Sequence, residues 1–87
     1  MTDFLNLRET LAYRHRSRSS HFRDIENGRC TTAIKVGPKS VFWLSTELET
    51  LRTAVIAGKS EDEIKHIVRE LQDLRRKNVP ERTGGGL

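Results

Sequence analysis

The sequence predicts a small α+β fold, mostly helical, running as two short helices, a β-hairpin and one or two C-terminal helices. Three observations predict it. Apolar residues recur at helical spacing in segments that open on a capping residue or close on a glycine. Two β-prone runs flank the turn signal Gly37-Pro38-Lys39-Ser40. With 87 residues, of which 34% are hydrophobic and 32% charged, the chain has material for one compact core and little else.

Leu5, Leu7, Leu11 and Ala12 supply an apolar stripe for a first helix, with Asn6 as its N-cap. Arg14-His15-Arg16-Ser17 interrupts the pattern. Ser17 then caps a second helix over about 18–27, which Gly28 closes from a left-handed position. Phe22 and Ile25, three apart, are its only large apolar residues, which predicts a narrow buried edge and a broad exposed face. Residues 31–36 and 41–43 are rich in β-branched and aromatic side chains. Between them glycine tolerates positive φ and proline fixes its own, which gives a hairpin with a basic tip. Trp43 is read as a hydrophobic anchor of that hairpin.

A third helix begins at Ser45 or Thr46, where Thr46 and Glu49 have capping-box spacing. Leu48, Leu51, Ala54 and Val55 form its stripe and Gly58 ends it. Ser60 and Glu63 form a second capping box that opens the longest helix. Ile64, Ile67, Val68, Leu71 and Leu74 make its apolar face, and Glu61, Lys65, Arg69, Glu70 and Asp73 cover the rest. Asn78, Pro80 and Gly84-Gly85-Gly86 predict a disordered tail. The expected organisation is a main domain over 1–58, a C-terminal amphipathic helix over 59–78 and a tail over 79–87, with no internal repeat.

A net charge of +4 favours polyanionic partners. The single cysteine, Cys30, excludes an intrachain disulfide and a multi-cysteine zinc site, and is read as a small, partly buried residue. The opening Met1-Thr2-Asp3-Phe4 lacks the basic and apolar regions of a signal peptide, and no apolar run reaches membrane-spanning length, so the expected location is cytoplasmic, with no membrane partner. His15, His21 and His66 fall in different elements without metal-ligand spacing. Phosphate loops, nucleophile elbows and paired acids are missing as well. The expectation is a protein that is not an enzyme and uses no cofactor or metal.

Two short helices separated by a brief break and followed by a basic hairpin make a helix-turn-helix with a wing. Such a unit lays its second helix in the major groove of DNA, N-terminal residues nearest the base edges. Here that end reads Ser17-Arg18-Ser19-Ser20-His21-Phe22-Arg23, and no acidic residue follows Arg14 until Asp24. Arginine binds guanine bidentately, serine hydroxyls reach bases or phosphates, and free amides of a first helical turn favour a phosphate. The expected DNA-binding set is Arg16, Ser17, Arg18, Ser19, Ser20, His21 and Arg23, with Lys35 and Lys39 on the wing. The competing reading is a solvated Arg-Ser stretch and ordinary surface lysines. The apolar stripe before it, the cap within it, and the glycine stop and hairpin after it speak for an ordered helix.

Leu5 to Trp43 also resembles a known family, the AlpA-type phage and mobile-element regulators, which include small excisionases (recombination directionality factors). The likeness runs through Leu7, Glu9, Leu11 and Ala12, then Ser17-Arg18-Ser19-Ser20, Phe22-Arg23, Ile25 and Gly28. It continues in Ile34-Lys35-Val36-Gly37, Lys39, Trp43 and Ser45-Thr46-Glu47-Leu48, while 57–64 resembles the C-terminal extension of one branch, so that about two-thirds of the chain is covered. The resemblance implies a winged helix-turn-helix related to the MerR-like DNA-binding domain, with DNA contacts at Arg18, Ser19, Ser20, Arg23, Lys35 and Lys39. It implies action on double-stranded DNA of a mobile element. It further implies a role as an excision factor that bends attachment-site DNA for a tyrosine or serine integrase, as a promoter-binding regulator, or as both. The chain departs from the family at Arg8, where proline is common, at His15, where glycine is common, at Arg16, usually apolar, and at Cys30-Thr31-Thr32-Ala33, which replaces a proline-containing segment.

Two readings stay open for the last apolar face, Ile64, Ile67, Val68, Leu71 and Leu74. It completes the small core, or it docks on an integrase or a neighbouring protomer in a head-to-tail array along DNA. A third functional class, a protein-interaction adaptor whose basic face only balances charge, needs no DNA at all.

Overall fold

The computed structural model describes residues 3–78. Their order is β1 (Phe4–Leu5), α1 (Leu7–Arg14), α2 (Arg18–Glu26), β2 (Ile34–Lys35), β3 (Val41–Leu44), α3 (Ser45–Ile56) and α4 (Glu61–Asn78). The described residues thus form a small α+β fold of four helices and one three-stranded antiparallel sheet, mostly helical, with strand order β1-β3-β2. The tail expected over 79–87 lies outside the described residues.

Local chemistry accounts for the helix ends. Asn6 accepts from the Glu9 amide and the Glu9 carboxylate accepts from the Asn6 amide, a reciprocal capping box at α1. Ser17 Oγ accepts from the Ser20 amide at the start of α2. Ser60 and Glu63 form the box that opens α4. The first three helices all stop in one way. After α1, α2 and α3 a residue with positive φ (His15, Gly28 and Gly58) turns the chain. The amides of that residue and the next then bond back to the last turn: His15 and Arg16 to Ala12 and Leu11, Gly28 and Arg29 to Ile25 and Asp24, Gly58 and Lys59 to Val55 and Ala54. His15 holds φ 55° although it carries a Cβ, a conformation of the kind glycine adopts without strain.

The fold departs from expectation in three places. Phe4–Leu5 forms a strand, pairing Phe4 with Leu44 and Leu5 with Trp43, so Leu5 belongs to the sheet and not to the first helix. Asp3 anchors this strand: its amide donates to Ser45 Oγ and its carbonyl accepts from the Ser45 amide. The Thr46–Glu49 capping box does not form. β3 runs straight into α3 with Leu44 at the N-cap, so Thr46 already lies inside the helix, where its carbonyl accepts from Thr50 Oγ1. Finally, the hairpin arm expected over 31–36 is a strand only at Ile34–Lys35, paired Ile34 with Phe42 and Lys35 with Val41. The residues before it are drawn to other partners, the Thr31 carbonyl accepting from buried Trp43 Nε1 and the Thr32 amide donating to Gln72 Oε1 of α4.

Cys30, Trp43, Leu48, Leu51 and Val68 make the buried centre. Leu5, Leu7, Tyr13, Ile25 and Val41 pack around it, as do Ile64, Ile67 and Leu71. Val68 is fully part of that centre, so the α4 stripe at i, i+3, i+4 and i+7 covers this chain's own core and is not a free docking face. Only Leu74 of that set stands well exposed. The third-helix stripe is also narrower than read: Leu48, Leu51 and Ala54 are buried, whereas Val55 and Ile56 are 63% and 78% exposed.

A bidentate ion pair clamps α4 to α3. Arg75 Nε and Nη2 donate to the nearly buried Glu47 carboxylate at 2.7 and 2.6 Å, and Nη2 also donates to the Thr32 carbonyl at 2.8 Å. Arg75→Ala leaves that carboxylate buried without its cation, so unfolding stability falls by about 3 kcal/mol, read as a lower urea midpoint at pH 7. His15→Gly acts the other way. Relief of a left-handed Cβ, about 1–2 kcal/mol, exceeds glycine's backbone entropy, about 0.5–1 kcal/mol, so the same urea titration gives a raised midpoint.

Candidate nucleic-acid interface

α2 is built around an inward edge of unusual chemistry. His21 and Asp24, one helical turn apart, are its two buried residues, with Ile25 partly buried beside them. Phe22, expected on the buried edge, is 40% exposed. His21 was expected to face DNA and does not. It is fully buried, its ring 4.9 Å from Trp43 and 5.1 Å from Phe22, and so cannot touch a duplex in this fold.

Asp24 organises the surroundings. Arg14 Nη2 donates to its carboxylate at 2.9 Å, Arg16 donates through Nε and Nη2 at 3.0 Å each, and Arg29 Nε stands at 3.4 Å. Burial pushes this carboxyl's pKa up, but the guanidiniums of Arg14 and Arg16 outweigh it and hold the group below the ordinary carboxylate range. Arg14 also sets the state of His21. Its Nη1 lies 2.8 Å from His21 Nδ1, and since a guanidinium only donates, Nδ1 accepts and the neutral ring carries its proton on Nε2. Burial first, and then the Arg14 charge, push the His21 pKa down to about 4. The Nε2–H is buried with no hydrogen-bond acceptor among the described residues, and a second proton would have to enter at Nδ1, against the Arg14 guanidinium.

With His21 and Asp24 inward, Ser19 and Arg23 fall on the opposite side of α2, and Arg18 is exposed at its start. The Arg18 guanidinium lies 6.0 Å over the Phe22 ring. Ser17 is exposed with its hydroxyl engaged as the cap, and Ser20 is half-buried. Lys35 and Lys39 are exposed on the β2–β3 hairpin. Among the described residues none of Arg18, Arg23, Lys35 and Lys39 forms a salt bridge, whereas Arg16 is held by Asp24. Arg16 is therefore a structural cation first, though its side chain remains 43% exposed. α2 also differs from its neighbours in carrying no acidic residue in its first turn, where α1, α3 and α4 each have one or more. No group of three or more His, Cys, Asp or Glu side chains that could hold a metal ion occurs among the described residues, and no described helix is long and apolar enough to cross a membrane.

Sequence reading missed the role of Asp24 and of its partners Arg14 and Arg29. A signal was present: Asp24 lies three residues after His21 and beside Ile25, on the one helical edge that faces inward, and a carboxylate there demands cations. Comparison with protein-family models, curated proteins and solved structures finds no match to this chain.

The buried histidine makes stability pH-dependent. The unfolded chain takes up the proton near pH 6.5 and the folded chain only near pH 4, so this contribution is complete above pH 6.5 and declines as pH falls through that window. The loss approaches about 3 kcal/mol by pH 4, and protonation of Asp24 deepens it at still lower pH. Urea titrations between pH 7 and 4 are expected to show this decline, and His21→Phe to flatten it.

Proposed function

We propose that this chain is a sequence-specific DNA-binding protein, a winged helix-turn-helix in which α2 enters the major groove and the β2–β3 hairpin lies against the flanking backbone. One observation carries the reading. The structural arginines Arg14, Arg16 and Arg29 are drawn to Asp24, while Arg18, Arg23, Lys35 and Lys39 stay exposed and free of carboxylates on two elements that pack together through His21 and Trp43. The acid-free first turn of α2 supports it, because a helix N-terminus unscreened by carboxylates attracts a phosphate. Arg18 and Arg23 are the base readers, Ser17, Ser19 and Ser20 the positioning residues of the helix start, and Lys35 and Lys39 the backbone contacts. His21 takes no part in contact; it seats the helix on the sheet.

The resemblance to AlpA-type regulators and small excisionases extends this reading to mobile-element DNA and to excision with an integrase. Footprinting tests that extension. Protection over repeated sites at a recombination junction is the expected pattern, and protection confined to a promoter assigns the chain to transcription regulation instead.

The double variant Arg18→Ala with Arg23→Ala is expected to lose discrimination between a specific duplex and a scrambled one, each lost base contact being worth about 1–3 kcal/mol, with an unchanged circular dichroism spectrum. Lys35→Ala and Lys39→Ala are expected to weaken all duplexes alike, each reducing the slope of log affinity against log salt by about 1. Undiminished specific binding by the arginine double variant refutes the reading.

A further inference from the structure

A groove of about 640 Å³ opens between the end of α1, the second half of α3 and the start of α4. Arg18, Ser19, Arg23, Lys35 and Lys39 do not line it; of the residues expected at DNA only Arg16 does, held by Asp24, so the groove adjoins the proposed DNA surface without sharing its free cations. Its apolar wall includes Val55 and Ile56, the two most exposed large aliphatic side chains of α3, with Leu51 beneath and Ile64 opposite. Its polar rim carries the guanidiniums of Arg14, Arg16, Arg29 and Arg52, while Asp24 is the one carboxylate among the lining residues. Arg29 also meets Glu61, at 3.3 Å.

Arg52 is the cation that makes this groove selective. It forms no salt bridge among the described residues, yet it is held in place, with Nη2 donating to the Tyr13 carbonyl at 2.7 Å and its guanidinium 4.2 Å from the centre of the Tyr13 ring. Arg52, Val55 and Ile56 stand at i, i+3 and i+4 on α3, and so present one continuous face with a fixed positive charge at one end and exposed aliphatic surface at the other.

We propose that this groove docks an acidic amphipathic helix of another protein, its apolar side on Val55 and Ile56 and its carboxylates on Arg52 and the neighbouring guanidiniums. The charge excess on the rim selects an anionic partner, and the aliphatic wall requires that partner to bring apolar surface, which a phosphate backbone lacks. A second copy of this chain is a poorer occupant, because each copy carries a net charge of +4 and the two repel. The proposal does not depend on the DNA reading.

The test uses the full chain and a fluorescein-labelled helical peptide with leucine at i, i+3, i+4 and i+7 and glutamate elsewhere. Fluorescence anisotropy is expected to show saturable binding of this peptide, about tenfold weaker for its glutamine counterpart and about tenfold weaker for the double variant Val55→Glu with Ile56→Glu. Because both side chains are exposed, that variant keeps the wild-type circular dichroism spectrum. Arg52→Glu is expected to weaken the glutamate peptide about tenfold and to remove its advantage over the glutamine peptide. Arg18→Ala with Arg23→Ala keeps full peptide binding, so loss of duplex binding alone leaves the groove untouched. The proposal is overturned by failure of the glutamate peptide to bind, by equal binding of the glutamine peptide, or by indifference to the Val55 and Ile56 changes. Weakened duplex binding in the uncharged variant Val55→Ser with Ile56→Ser overturns it in favour of nucleic acid. Self-association of the wild type, seen in sedimentation and abolished in that variant, overturns it in favour of a second copy.

Discussion

The buried carboxylate of Asp24 is the constraint on which the helical pair depends. Removing a carboxylate from water costs several kcal/mol unless cations and hydrogen bonds replace its hydration, and three arginines from three different segments supply them. Arg14 comes from the end of α1, Arg16 from the turn and Arg29 from the chain leaving α2. One side chain thus ties the crossing of the two helices to the exit toward the hairpin. Arg29 carries the connection on to Glu61, which Lys65 also meets, and so to the start of α4. One turn earlier on α2, His21 accepts from Arg14 and packs on Trp43, which joins the same network to the sheet. With its inward edge held this way, α2 presents its outward edge in a defined orientation.

That arrangement divides the basic residues into two kinds. Arginine suits structural pairing because its planar fork donates to both oxygens of a carboxylate, and Arg16 on Asp24 and Arg75 on Glu47 both use it. Arg18, Arg23, Lys35 and Lys39 take no part in such pairing. The stretch from Arg14 to Arg23 is therefore not a uniform basic patch. Its first half is turned toward a buried acid and its second half toward solvent, and the functional reading rests on the second half.

A chain this short stabilises its core by recruiting all four helices and two of the three strands to it. Trp43, at the middle of the central strand, touches α2 through His21, is bonded to the loop at Thr31 and pairs with Leu5 from the N-terminal strand. α4 closes the remaining side through Val68 and its neighbours. The repeated helix-ending motif keeps the connections tight, and the first of the three tolerates histidine where the other two use glycine.

Much of this was legible in the chain itself. The capping residues Asn6, Ser17 and Ser60, the stops at Gly28 and Gly58, the turn at Gly37-Pro38 and the apolar period of α4 are short-range features, decided by backbone donors and side chains a few residues apart, and so readable from sequence. Decisions between distant segments were not. The pairing of Phe4–Leu5 with β3 depends on residues some forty positions away; the shortening of the first hairpin arm follows from partners on α4 and under Trp43; and the burial of His21 follows from the arginines that neutralise Asp24. Sequence alone determined where α1, α2 and α4 begin, where α2 and α3 end, and that a basic helix start precedes a basic hairpin. Only the tertiary structure decided which cations face inward and which stay free, because burying a charge is permitted or forbidden by partners that the chain brings together only on folding.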